Sequence, residues 1–182
     1  MTNALVPLAQ GCEELEAITI TDLLVRAGIN VTTAGLDDQP VTASRGMRLL
    51  PDTTIDKLLN NTYDLVVLPG GLPGADHLRD NPHVQQILKQ HAANHKLVAA
   101  ICAAPKALAA AGLLDNKTVT CYPGALSSSP LTNTTVNSSA IEIDGNIITS
   151  RGPGTAMDFA LTLIELLEGK EKRLQINQQL VR

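Results

Sequence analysis

The sequence predicts an α/β sandwich: a mostly parallel β-sheet with helices on both faces. Three observations carry that prediction. Strand-like and helix-like segments alternate along the chain with short links between them. The first three segments already form a strand–helix–strand unit. Two later segments, within YDLVVLPGG and LVAAI, are continuous apolar runs of the kind found in buried parallel strands.

Taken in order, NALVPLA (residues 3 to 9) reads as the first strand and QGCEE as a turn. From Glu14 the apolar residues Leu15, Ile18, Leu23, Leu24 and Val25 fall on a helical stripe that ends at Ala27-Gly28. INVTTAGL is a second strand, rich in β-branched residues. VTASRGMRLLPD predicts a short extended excursion, and TIDKLLNN one or two helical turns. YDLVVLPGG is a strand running into a glycine turn, and PHVQQILKQHAANHK an amphipathic helix. LVAAI and KTVTCYP are further strands, separated by the helix APKALAAAGLL. In NTTVNSSAIEIDGNIITSRGPG short strands are expected, with Asp144-Gly145 as a hairpin turn. TAMDFALTLIELLEGKEK is a terminal helix closed by Gly169. Pro7 is the one local objection, since it cannot donate to a ladder.

The chain has 182 residues, enough for one sizeable core, and one domain over residues 1–182 is expected. With one Phe, two Tyr and no Trp, that core must be aliphatic, and recognition of nucleic acid by base stacking is disfavoured. The net charge of −4 and the lack of a basic run favour neither nucleic acid nor an anionic membrane as partner. No apolar stretch is long enough to span a bilayer, and MTNALVPLAQGCEELEA lacks the pattern of a signal peptide. Cys12, Cys102 and Cys121 form no disulfide framework and no zinc spacing, which fits a reducing cytoplasm and no metal or other cofactor.

In open parallel sheets, ligands collect beyond the carboxyl ends of the strands. Three turns of that kind carry chemistry here: GCEELE, the LPGAD that follows YDLVVLPGG, and the point where LVAAI meets Cys102. Cys102 is expected at a nucleophile elbow, its sulfur facing a small pocket, with Ala103 opening a helix whose N-terminus favours a thiolate. Backbone N–H groups of Gly71 and Ala103 could hold an oxyanion there, and Gly70-Gly71 lets the backbone approach a ligand closely. The four histidines, His77, His83, His91 and His95, all precede Cys102 and read as surface residues. The proton partner is then a carboxylate among Glu13, Glu14 and Glu16. Beside a thiolate it would form a like-charge pair, so one member should keep a proton.

EELEA, VVLPGG, AAICAAP, TSRGPGT and the amphipathic terminal helix, in that order, resemble the ThiJ/PfpI superfamily, and within it the YajL-like branch that includes the parkinsonism-associated protein deglycase. The resemblance runs from about Leu5 to Gln179. It implies a flavodoxin-like fold and a homodimer. It carries the nucleophile onto Cys102, its acid onto Glu16 and the oxyanion donors onto Gly71 and Ala103. It places Arg26, Arg45 and Arg151 near the dimer contact or the site. The implied activity is that of a cofactor-independent glyoxalase or protein deglycase, acting on methylglyoxal, glyoxal or their protein and nucleotide adducts. The alternative is a redox-sensing, chaperone-like stress protein whose Cys102 is oxidised to a sulfinate. A non-catalytic scaffold would show a fully buried, unreactive Cys102. One departure is Tyr122-Pro123, where some members have His-Pro; Tyr122 either lines the pocket or caps a strand. Ala103, in place of histidine after the cysteine, argues against a peptidase triad. The absence of any histidine after residue 95 argues against an amidotransferase. Cys121 reads as core, and Cys12 as a core thiol or a resolving thiol for Cys102.

Overall fold

The computed structural model describes residues 1–182. β1 (Asn3–Leu8), α1 (Glu14–Arg26) and β2 (Asn30–Gly35) form the opening βαβ unit. β3 (Val41–Thr42) and β4 (Arg48–Leu49) pair as a small antiparallel hairpin, and β5 (Thr53–Thr54) leads into a 3₁₀ turn at Ile55–Leu58. Then follow β6 (Leu65–Leu68), α2 (Gly74–Asp80), α3 (Pro82–Ala93), β7 (Leu97–Ile101) and α4 (Pro105–Ala110). The last part holds β8 (Thr118–Thr120), β9 (Thr135–Asn137), β10 (Ile141–Asp144), β11 (Ile147–Ser150), α5 (Ala156–Glu168) and α6 (Lys170–Gln179).

The main sheet has seven strands in the order β10-β11-β7-β6-β1-β2-β5. All its pairs are parallel except the β10–β11 hairpin, which turns at Asp144-Gly145. Alternate residues of each strand face opposite layers, as the two-residue period of a strand requires. Ala4, Val6, Leu65, Val67, Ala99 and Ile101 join one core with Ile20 and Leu24 of α1 and Phe159 and Ile164 of α5. Leu5, Val66, Leu68, Val98 and Ala100 join the other with Leu78 of α2, Ile87 and Leu88 of α3 and Leu108 of α4. The predicted sandwich is thus present, with helices on both faces. Pro7 stays in β1 opposite Ala34. The β1–β6 ladder ends at Leu5, so no donor from position 7 is needed on that side.

Several expectations are corrected. A short helix, α2, lies between the glycine turn and α3. The chain continues past Gly169 into α6, whose polar sequence buries only Ile176 and so offered no apolar stripe to read. The KTVTCYP strand does not join the main sheet; β8 pairs in parallel with β9 instead. α4 begins at Pro105, with a three-residue turn from Cys102 to Ala104, so Ala103 does not open the helix.

His91 is not a surface residue. It continues the stripe Val84, Ile87, Leu88 on α3 and is 4% exposed. Its Nε2 accepts the Tyr63 backbone N–H at 3.0 Å, and its Nδ1 donates to the Ile87 carbonyl at 2.9 Å. Accepting at Nε2 needs the neutral imidazole, and burial lowers the His91 pKa, outweighing the Ile87 bond, which the charged ring could also make. The native state therefore binds fewer protons than the unfolded chain just below pH ~6.5, and stability should fall as pH drops through that value. His91→Leu is expected to cost about 1–3 kcal/mol by stranding the Tyr63 N–H. It should also weaken the acid sensitivity, which urea titrations near neutral and mildly acidic pH would read.

Candidate active site

β1, β6 and β7 are neighbours in the sheet, so the turns at their carboxyl ends lie side by side. The chain leaves β1 toward β2 and later returns to β6 on the other side of β1. That makes this edge the reversal point of strand order, where open α/β sheets form ligand crevices.

Cys102 follows β7 directly and adopts φ +63°, the left-handed region that L-residues avoid. Such a conformation costs on the order of 1–3 kcal/mol and persists only where neighbours hold it. Here the Cys102 N–H donates to the Ser150 carbonyl at 2.9 Å, and its carbonyl accepts the Tyr122 N–H at 2.8 Å. The backbone N–H groups of Gly71 and Ala103 both address the sulfur. Cys102 is 8% exposed, more enclosed than the open elbow expected from sequence.

Glu16, in the first turn of α1, is fully buried against Cys102. Its Oε2 accepts the Gly70 N–H at 2.7 Å, while Oε1 has no partner. Burial raises the Glu16 pKa to about 7, helped by the Glu13 charge and opposed by the Gly70 N–H and the contact with Cys102. Burial and the Glu16 charge raise the Cys102 thiol to about 12. These values describe one coupled pair: two negative charges cannot coexist there, so near neutral pH the pair keeps at least one proton. The helix dipole contributes less than expected, because α4 starts three residues later.

Gly70 is the floor of this contact. A Cβ at residue 70 would lie 2.8 Å from Cys102 Cβ and 2.9 Å from Glu16 Oε2. Gly70→Ala should therefore push the two side chains apart. We expect a loss of about 1–3 kcal/mol of stability. The Cys102 alkylation rate should fall about tenfold or more, since sub-ångström placement is lost; melting curves and iodoacetamide kinetics read the two effects.

Of the other residues singled out, Tyr122 touches the site through its backbone. Its side chain is 52% exposed and packs beside Gly152. None of the three arginine side chains hydrogen-bonds Cys102 or Glu16. Arg26 is exposed and paired with Asp22 at 2.6 Å. Arg45 presents its backbone N–H to Glu14 at 3.0 Å while its side chain is exposed. Arg151 is half-buried, and its charge acts on Cys121. Cys12 and Cys121 are free, buried thiols with raised pKa values, Cys12 to about 11 by burial and the Glu14 charge. The Gly70-Gly71 backbone runs between the Cys12 and Cys102 peptides.

Sequence reading missed the supports of the site. Glu14 is a clamp: its carboxylate accepts the Arg45 and Met47 N–H groups and the Ser44 hydroxyl, while Glu13 also accepts from Ser44 at 2.7 Å. This ties the β3–β4 hairpin to the start of α1. The acidic run EELE was the only signal. Nothing in the sequence marked the Ser150 carbonyl.

A flavodoxin-like α/β protein with a cysteine in a strained strand-end turn, met by a buried carboxyl group, is the class that fold and site define. The sequence profile of the DJ-1/PfpI family matches residues 2–166, and the chain belongs to that family. It is 45% identical over 182 residues to the Parkinson disease protein 7 homolog of Danio rerio, covering 98% of this chain and 96% of that protein. It is 41% identical over 181 residues to Protein DJ-1 homolog B of Arabidopsis thaliana, covering 98% of this chain but 41% of that longer protein. A further relative, the glutathione-independent glyoxalase DJR-1.2 of Caenorhabditis elegans, is 37% identical over 163 residues, covering 90% and 87% of the two chains. The solved structure of oxidized Toxoplasma gondii DJ-1 superposes with a TM-score of 0.94 at 39% identity, covering 100% of this chain and 98% of that one. No helix is long and apolar enough to cross a membrane.

Proposed function

We propose that this protein is a cofactor-independent glyoxalase or deglycase, with Cys102 as nucleophile and Glu16 as proton shuttle. The observation that carries this reading is the contact between Cys102 and a carboxyl group that burial holds near the point of half-protonation at neutral pH. A group so poised can give and take a proton in one cycle. The glyoxalase among the relatives supports the same chemistry.

The reaction follows from those two groups. Moving the proton from the thiol to Glu16 yields a thiolate and a neutral acid without changing the total charge. The sulfur adds to the aldehyde carbon of methylglyoxal, and Glu16 returns its proton to the new oxyanion, which the Gly71 and Ala103 N–H groups would stabilise. The Glu16 carboxylate then takes the hydrogen of that carbon as a proton and delivers it to the neighbouring carbon, while the hydroxyl proton passes from the first oxygen to the second. The carbonyl oxidation level thereby moves inside the substrate, and water releases lactate from the resulting thioester. Adducts of aldehydes with protein or nucleotide amines present the same carbon to the same sulfur. The test is lactate formation from methylglyoxal by purified protein without added thiol or metal; no lactate above the uncatalysed rate would end this reading.

A redox role for the same sulfur is the second reading. Cys102 is the most exposed of the three thiols, at 8% against 3% for Cys121 and 0% for Cys12. Peroxide is expected to convert it first, toward a sulfinate that a protonated Glu16 could hydrogen-bond. Peptide mass mapping showing earlier oxidation of Cys12 or Cys121 would overturn that order. A homodimer is proposed from the apolar surface of α1 and the adjoining hairpin, where Leu15, Ile18, Val25, Met47 and Leu50 are exposed. An Ile18→Lys variant should then elute as a smaller species in sizing with light scattering.

A further inference from the structure

The two N–H groups that address the Cys102 sulfur come from different loops. Ala103 leads into α4, and Gly71 leads into α2. One ion pair joins the starts of these two helices: Lys106 Nζ donates to Asp76 Oδ1 at 2.9 Å. Lys106 is in the first turn of α4, where a cation faces the positive end of the helix dipole. That placement is unfavourable unless a partner compensates. The Lys106 side chain is 14% exposed and that of Asp76 34%, so this pair is less screened than the Arg79–Asp80 pair beside it, at 38% and 65%. Arg79 holds the same Asp76 oxygen from one turn further along α2, at 3.0 Å.

The connection to the sulfur is short on both sides. The Gly71 carbonyl accepts the Ala75 N–H at 2.8 Å, so the first hydrogen bond of α2 orients the peptide units around Gly71. The Ala103 carbonyl accepts the N–H of Lys106 itself at 3.3 Å. Moving α2 relative to α4 therefore moves one N–H donor relative to the other. We infer that the Lys106–Asp76 ion pair is a positioning device that keeps the Gly71 and Ala103 N–H groups converged on one point beside Cys102. This rests on the proposed nucleophilic role for Cys102 only in its turnover readout; the convergence on the sulfur can be tested without any substrate.

The experiment compares wild type, Lys106→Met and Asp76→Asn in three measurements: methylglyoxal turnover, the pH dependence of Cys102 alkylation by iodoacetamide from about pH 6 to about pH 10, and the melting temperature. Both variants are expected to lower kcat about tenfold with KM within about twofold, as for donors that act mainly in the transition state. Because N–H donors favour the thiolate, their loss should displace the alkylation profile toward higher pH by about one unit, which below the thiol pKa of about 12 reads as an about tenfold lower rate at each pH. Lys106→Arg should restore the wild-type profile, and exchanging the two charges (Lys106→Asp with Asp76→Lys) should restore part of it. An ion pair that merely stabilises the fold would lower the melting temperature and leave the profile in place. An unchanged profile in both single variants overturns the inference. If wild type forms no lactate, the aldehyde reading fails, while the alkylation profiles still decide this one. If Lys106→Met does not fold, the more exposed Asp76→Asn carries the comparison.

Discussion

Cys102→Ala is expected to reduce lactate formation from methylglyoxal at least about a thousandfold, because the groups that remain can bind and polarise an aldehyde but cannot form the bond to carbon. Cys102→Ser should be equally inactive. Its hydroxyl would need a far stronger base than a carboxylate poised near pH 7. Neither variant should unfold. The backbone at residue 102 is held by Ser150 and Tyr122 through main-chain atoms, which the substitutions leave in place. Cys102→Gly adds a control on the geometry. Glycine adopts φ +63° without the Cβ penalty, so this variant should be more stable than Cys102→Ala by about 1 kcal/mol. Lactate assays beside melting curves separate the two effects. Activity retained in Cys102→Ala would remove the thiol from the mechanism, whatever its strain.

The strain also marks what the sequence could convey. LVAAIC announced a buried strand ending at a cysteine, and the order of strands and helices announced the sandwich, because both depend on local apolar patterning. The start of α4 was legible too, in Pro105, which suits the first turn of a helix; reading Ala103 as that start overlooked it. His91 was legible in the same way, at the seven-residue spacing from Val84 that continues the buried stripe. The φ of Cys102, the Ser150 and Tyr122 contacts and the parallel pairing of β8 with β9 had no local signature. They arise from segments brought together across the chain. The choice of Glu16 among three glutamates came from family resemblance. The structure separates them physically: Glu13 and Glu14 hold the hairpin through Ser44, Arg45 and Met47, whereas Glu16 faces the sulfur.

Glu16→Gln should have opposite effects on activity and stability, which distinguishes a working group from a structural one. As a proton shuttle, Glu16 contributes on the order of 10²–10⁴-fold, and the amide can do none of this. The stability effect follows from the pKa. In the unfolded chain a glutamate loses its proton near pH ~4.3; in the fold burial keeps it to about pH 7. Between those values the native state binds more protons than the unfolded one, so stability falls as pH rises through the window. Above about pH 7 the full cost is present, about 4 kcal/mol. Glutamine retains an oxygen for the Gly70 N–H and brings no charge to bury. The variant should therefore be less pH-sensitive between pH ~4.3 and ~7, and more stable than wild type on the alkaline side. Removing the Glu16 charge also removes one cause of the high Cys102 pKa, so the thiol should ionise at lower pH than in wild type with Glu16 charged. A Glu16→Gln protein with a more readily ionised thiol, higher alkaline stability and little turnover would show that thiolate formation alone is insufficient. The missing element would be the proton that Glu16 returns to the substrate. Full turnover in that variant would exclude Glu16 as the shuttle, and lower stability at alkaline pH would make it a structural acid.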